Sequence, residues 1–349
     1  MEDVGKVSHN WNFISLASVI SALAVVTLHT NGCFWAFSST ESYWFSANII
    51  ECVFFFAVPV FFMISGATNL DYFDKYSTKV FYLKRIKKTV FPYIAWSLIA
   101  VLFLVCLKKK SLSEISFESV VKGLSEFNTV SLYWFFGPLF AVYLCMPLFA
   151  AVQKERKKNV FVWMVILSFA FNLLAPFIVR VFNIDYTFPL TVTVGSSYLI
   201  YVMLGYLLYT NDISPQVRII IYLLAIAGLL SHIIGTYTLS IAQGSIVSTY
   251  KGYVAVPSAL YSSGVFVLIK QLSQKIKSKK IWGIISFLSK YTFSLYLMQW
   301  FIMFLVDNYT KIDTFSLWYR LGAPPIIFAI VIIVTFCLRK IPVVKYIVP

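Results

Sequence analysis

"ISALAVVTLHTNGCFW", Ile20–Trp35, is an apolar run that closes on a histidine. Extended back to Asn12, the run reaches the roughly 20 apolar residues that a helix needs to cross a bilayer. It therefore reads as a membrane-spanning helix with His29 at its end, followed by Thr30 and Asn31. Ionisable groups at membrane depth are costly and rarely idle. Two readings of His29 are open: an interfacial side chain, wet on one side and packed on the other, or a general base whose proton affinity suits neutral pH.

The rest of the chain agrees with the first reading of the fold. It is 60% hydrophobic and 12% charged, whereas a soluble domain is about 45–50% apolar and 25% charged. The expected fold is all-α and polytopic, a single transmembrane domain over 1–349 with no soluble domain. Ten spans are expected: Asn12–Asn31, Ala47–Ala67, Val90–Leu107, Ser131–Val152, Val160–Val179, Ser196–Tyr209, Ile219–Leu239, Tyr253–Lys270, Gly283–Val306 and Leu321–Leu338. The first run follows a single lysine and lacks a small-residue cleavage site, so it reads as a retained helix. The longest loop, about Lys108 to Val130, contains "SEISFESVVKGLSEF", the pattern of a short amphipathic helix on the membrane surface.

Ten spans sort the charges. One side collects 20 of the 29 Lys and Arg residues, the other 8, and Lys290 falls within a span. Basic residues accumulate on the cytoplasmic side, so both termini are expected there. The net charge of +15 is then mostly an orientation signal and requires no nucleic-acid partner. The lysines at 108–110 run against this rule. The five cysteines stand singly, mostly in apolar runs and without a CxxC, so neither a metal site nor a disulfide framework is expected.

Few polar residues lie within the spans, and each is a candidate. Glu51 sits near the same membrane face as His29, placed to orient or charge-balance an imidazole, or simply to snorkel. Lys84, Arg85, Lys87 and Lys88 enter the third span. They serve either orientation and anionic-lipid contact or the phosphates of a donor such as a coenzyme A. His232 lies mid-span, lining a cavity or bonding across helices. Lys290 and Gln299 bracket "KYTFSLYLMQW", and a buried glutamine needs a partner. Tyr133 and Trp134 occupy an aromatic interface position.

Several stretches together resemble the membrane-bound acyltransferase 3 family, most of all its surface-polysaccharide O-acyltransferase branch. The first span resembles that family's opening helix, with His29 matching its functional histidine. "VPVFFMISGATNL", "YLKRIKKTVFPYIAWS", "LYWFFGPLFAVYLCMPLF", "YLIYVMLGYLL" and "SKYTFSLYLMQW" resemble its later signatures, in order along nearly the whole chain. Two positions depart. Ser18 stands where the family usually has an arginine, and Gln299 where it often has a histidine.

The resemblance implies acyl transfer at a plasma (inner) membrane. Acetyl-CoA, docked at the cytoplasmic face, would be the donor, with Lys84, Arg85, Lys87 and Lys88 as its binding residues. A hydroxyl of an envelope glycan or lipid-linked saccharide would be the acceptor, directly or through an acyl carrier. His29 would be the base and Glu51 its orienter, with Tyr133, Trp134, His232, Lys290 and Gln299 lining the cavity. Membrane lipid is the remaining expected partner, and a homo-oligomer stays open. The alternative is a non-catalytic member that assists polysaccharide export, for which repeated halves and broken helices would be expected.

Overall fold

A computed structural model describes the backbone of residues 2–342 and 344–348; the side chains of 2–11, 112 and 345 lie outside the description, among them Lys6 and Lys345 of the charge count. The described residues form helices and turns without a β-strand. Among them fifteen α-helices follow one another: α1 Glu2–Thr30, α2 Ser42–Phe54, α3 Ala57–Asn69, α4 Thr78–Arg85, α5 Phe91–Cys106, α6 Phe117–Ser125, α7 Phe136–Ala150, α8 Lys154–Ser168, α9 Ala175–Val181, α10 Leu199–Thr210, α11 Pro215–Gln243, α12 Val256–Lys275, α13 Lys279–Ser289, α14 Thr292–Tyr309 and α15 Leu317–Leu338. Among these residues seven helical stretches are long and apolar enough to cross a membrane: Asn12–Thr30, Ser42–Asp74, Thr78–Cys106, Ser131–Ala150, Lys154–Val181, Pro215–Gln243 and Leu317–Leu338. The protein is an all-α, multi-pass membrane protein.

Four of these stretches deviate from uniform α-helix: the fourth opens with a 3-10 turn, Ser131–Phe135, and three others deviate internally, each with a local cause. The second is interrupted at Phe55–Phe56, between α2 and α3. Pro59 lacks an N–H and its ring crowds the carbonyl four residues back, that of Phe55. The hydroxyl of Tyr261 on α12 donates to the Val53 carbonyl at the break, at 2.8 Å. The third and fifth widen into π-helix at Ile86–Val90 and Phe169–Leu174. Each widening ends two residues before a proline, Pro92 or Pro176, where the α-helical ladder cannot be completed. The expected ninth span, Gly283–Val306, is two helices. Lys290 and Tyr291 form a turn between α13 and α14, flanked by Ser289 and Thr292, whose short hydroxyl side chains compete with the helical ladder.

The chain divides into two compact units. The first comprises Met1–Leu70, Val152–Lys290 and Asp313–Pro324; the second comprises Asp71–Ala151, Tyr291–Ile312 and Pro325–Pro349. In the first, α1 packs on α3, α12 and α13, α3 on α10, and α11 on α12 and α2. Glycine sets the closest approach. A methyl group on Gly66 of α3 would fall 1.9 Å from the Val202 carbonyl oxygen, and one on Gly205 of α10 would fall 2.1 Å from that of Met63. Only two backbones in direct contact leave so little room, and this is how apolar helices gain contact in a solvent as greasy as themselves. Lys270 of α12, an orientation charge in the sequence, donates to the carbonyls of Leu208, Tyr209 and Asn211 at 2.8–3.2 Å, closing the open end of α10.

In the second unit Tyr93 of α5 lies among the rings of Phe127, Tyr133, Phe136 and Phe140. The Trp96 indole donates to the Ile347 carbonyl at 2.8 Å. The expected surface helix of the long loop is α6, opened by Ser116, whose side chain accepts from the Ser119 N–H, and carrying an almost fully exposed Phe117.

Candidate functional site

His29 occupies the last turn of α1 and is half-buried. The segment beyond it is tightly built. The chain leaves the helix through a 3-10 turn, Gly32–Trp35. The Phe34 carbonyl accepts from the Trp44 indole at 2.9 Å, and Trp44 is sandwiched between the rings of Phe34 and Tyr237. Asn31, fully buried, donates from Nδ2 to the Ala47 carbonyl at 2.9 Å, joining the end of α1 to α2.

Two cations missed as site residues complete this end of the first unit. Lys251, from the loop before α12, places Nζ 3.1 Å from Oε1 of Glu51, both side chains buried. The rings of Phe55, Trp35 and Phe34 surround that ammonium at 4.4, 4.6 and 5.1 Å, so its charge is met by a carboxylate and by π-faces. Arg320, in the first turn of α15, is also buried. Its Nη2 donates to Ser46 Oγ at 2.9 Å and Nη1 to Asn31 Oδ1 at 3.4 Å, while its carbonyl accepts from Thr30 Oγ1 at 2.9 Å. Thr30 and Asn31 thus tie the end of α1 to α2 and α15. The Asn31 side chain meets both α2 and the Arg320 guanidinium.

His232 of α11 is fully buried, and among the described residues neither ring nitrogen has a hydrogen-bond partner. Its ring stands edge-on to Phe55 at 5.0 Å, and Phe55 stacks on Tyr253 at 4.1 Å. It therefore lies one ring away from the Glu51–Lys251 pair. Asn48 fastens the neighbouring turn, donating to the Ile233 carbonyl at 3.0 Å. His29, Glu51 and His232 all belong to the first unit; so does Lys290, exposed in the turn after α13.

The remaining candidates belong to the second unit. Tyr133 is buried and its hydroxyl donates to the Leu297 carbonyl at 2.8 Å, next to the half-buried Trp134. Gln299 is buried on α14, with Nε2 3.4 Å from the Tyr296 carbonyl. Of the basic cluster, Lys84, Lys87 and Lys88 are exposed. Arg85 is half-buried, its guanidinium against the rings of Phe81 and Tyr143 at 5.1 and 5.2 Å, and the Lys84 ammonium lies over the Tyr76 ring at 3.6 Å. Among the described residues no group of His, Cys, Asp and Glu is arranged to hold a metal ion.

A multi-pass helical membrane protein with an imidazole and a buried charged cluster at one helix end is the class these features define. A family model, described as an acyltransferase domain, matches residues 11–339, nearly the whole chain, and the protein belongs to that acyltransferase 3 family. No curated protein and no solved structure matches it. It is a membrane acyltransferase.

Proposed function

We propose that the protein moves an acetyl group from acetyl-CoA to a hydroxyl of a cell-envelope glycan or lipid-linked saccharide, with His29 as general base. The membrane would be the plasma or inner membrane, with both termini and the donor on its cytoplasmic side. The observation that carries this reading is the setting of His29. It is a half-buried imidazole on a helix end fixed to α2 and α15 by Asn31, Thr30 and Arg320, and a general base must be held in place to act. In the reaction the sugar oxygen attacks the thioester carbonyl carbon while its proton passes to His29. The tetrahedral intermediate then collapses, the C–S bond breaks, and the departing thiolate takes up that proton. The exposed Lys84, Lys87 and Lys88 suit the phosphates of the donor, whereas Arg85 is half-buried against two rings.

The test is transfer of labelled acetyl from acetyl-CoA to envelope glycan by purified protein in lipid. Wild type transfers label and His29→Ala does not; equal transfer by both removes His29 from the mechanism. Replacing Lys84, Lys87 and Lys88 by Ala weakens coenzyme A binding if they hold its phosphates, and unchanged affinity returns them to orientation and lipid contact. A second reading, a non-catalytic export component, draws on the break in the second span, since transporters build sites at interrupted helices, and on Ser18. It takes over if no acyl-CoA supports transfer by wild type.

A further inference from the structure

Four charged side chains are buried among the described residues: Glu51, Lys157, Lys251 and Arg320. Only one is an acid, and Lys251 takes it. Lys157 donates to the Leu70 carbonyl at 3.0 Å and faces the Tyr206 ring. The hydrogen-bond partners of the Arg320 side chain, 2% exposed, are neutral among the described residues: Ser46 Oγ, Asn31 Oδ1 and the Ser316 carbonyl. The Cys33 sulfur also lies beside it, but burial pushes that thiol up, against the pull of Arg320, so it stays protonated. Among the described residues no carboxylate stands within ion-pair distance of this guanidinium.

A buried cation without a counter-charge is expensive. A guanidinium fork also carries five N–H donors matched to the two oxygens of a carboxylate or phosphate. Both hydroxyl-bearing neighbours, Ser46 and Ser316, are half-buried, so the guanidinium lies one layer below the surface. Its backbone is held by Thr30, the residue after His29.

We propose that Arg320 binds an oxyanion of the acceptor, a sugar carboxylate or a sugar phosphate, so that the acceptor is an acidic saccharide. This rests on the reading that a saccharide is the acceptor. An acidic group anchored at Arg320 would hold the sugar by the turn that carries His29, and one of its hydroxyls would go to the base.

The experiment is titration calorimetry on the full chain in nanodiscs of uncharged lipid, without acyl donor. The probes are methyl glucuronide, glucose 1-phosphate, neutral methyl glucoside and inorganic phosphate. Wild type is expected to bind at least one acidic sugar tenfold or more tightly than methyl glucoside, and whichever acid wins assigns carboxylate or phosphate. Arg320→Gln abolishes that preference. Arg320→Lys, which keeps charge but not the fork, weakens it at least threefold and decides the matter if Arg320→Gln does not fold. Equal binding of acidic and neutral sugars by wild type overturns the proposal, as does a preference unchanged in the variants. So does inorganic phosphate binding as tightly as the sugar acids, which would make this an ion site. The assay involves no transfer, so failure of the acyltransferase reading and failure of this one are scored separately.

Discussion

The buried pair Glu51–Lys251 makes a quantitative prediction. At 3.1 Å and an effective permittivity of about 20, the two charges attract by about 5 kcal/mol. The aromatic rings around the ammonium add about 0.5–2 kcal/mol. Desolvating two ions costs several kcal/mol each, so the pair nearly breaks even, while removing one partner strands the other and costs about 3–5 kcal/mol. Lys251→Met and Glu51→Leu should therefore each destabilise the protein by about 3–5 kcal/mol. The double variant should fall short of the summed single losses by about 3 kcal/mol, the upper end of coupling between residues in contact. The measurement is reversible unfolding in mixed micelles, followed by tryptophan fluorescence. Losses that simply add in the double variant would refute the reasoning, because they would mean that neither charge depends on the other.

Two further predictions concern packing and orientation. In Gly205→Ala the new methyl would sit 2.1 Å from the Met63 carbonyl oxygen and 2.3 Å from its Cα. Backbone cannot swing aside, so α3 and α10 must part, at a cost of about 1–3 kcal/mol in the same unfolding assay; unchanged stability would contradict so close a contact. For orientation, single cysteines at Lys109→Cys and Lys277→Cys, with the exposed Cys106 and Cys337 replaced by serine, are treated with a membrane-impermeant maleimide on intact cells. Position 109 should label and position 277 should not, and the reverse pattern would invert the charge-based topology.

The helical membrane fold was legible because hydropathy over 20 residues is a local property, and so was the place of His29 at a helix end. Less legible were features that depend on which helices meet. Lys251 and Arg320 looked like loop charges because each stands at the edge of an apolar run. Only folding brings Lys251 to Glu51 and Arg320 to Asn31. Pro59 was visible within "VPVFF", yet a window that averages apolarity passes over a missing N–H, so the second span read as continuous. Lys290 was noticed, but as a charge inside a helix; it marks where one helix stops and the next begins.

The interruption at Phe55–Phe56 has an evolutionary side. A single-residue insertion in a continuous helix turns everything beyond it by about 100°, so the charged end and the glycine contact could not change independently. With a turn between them, a change in register within α2 moves Glu51 relative to Lys251 while Gly66 keeps its place against α10. The two halves of the second span can drift separately, and the end that carries the buried charges can be remodelled around new chemistry without loosening the packing below it.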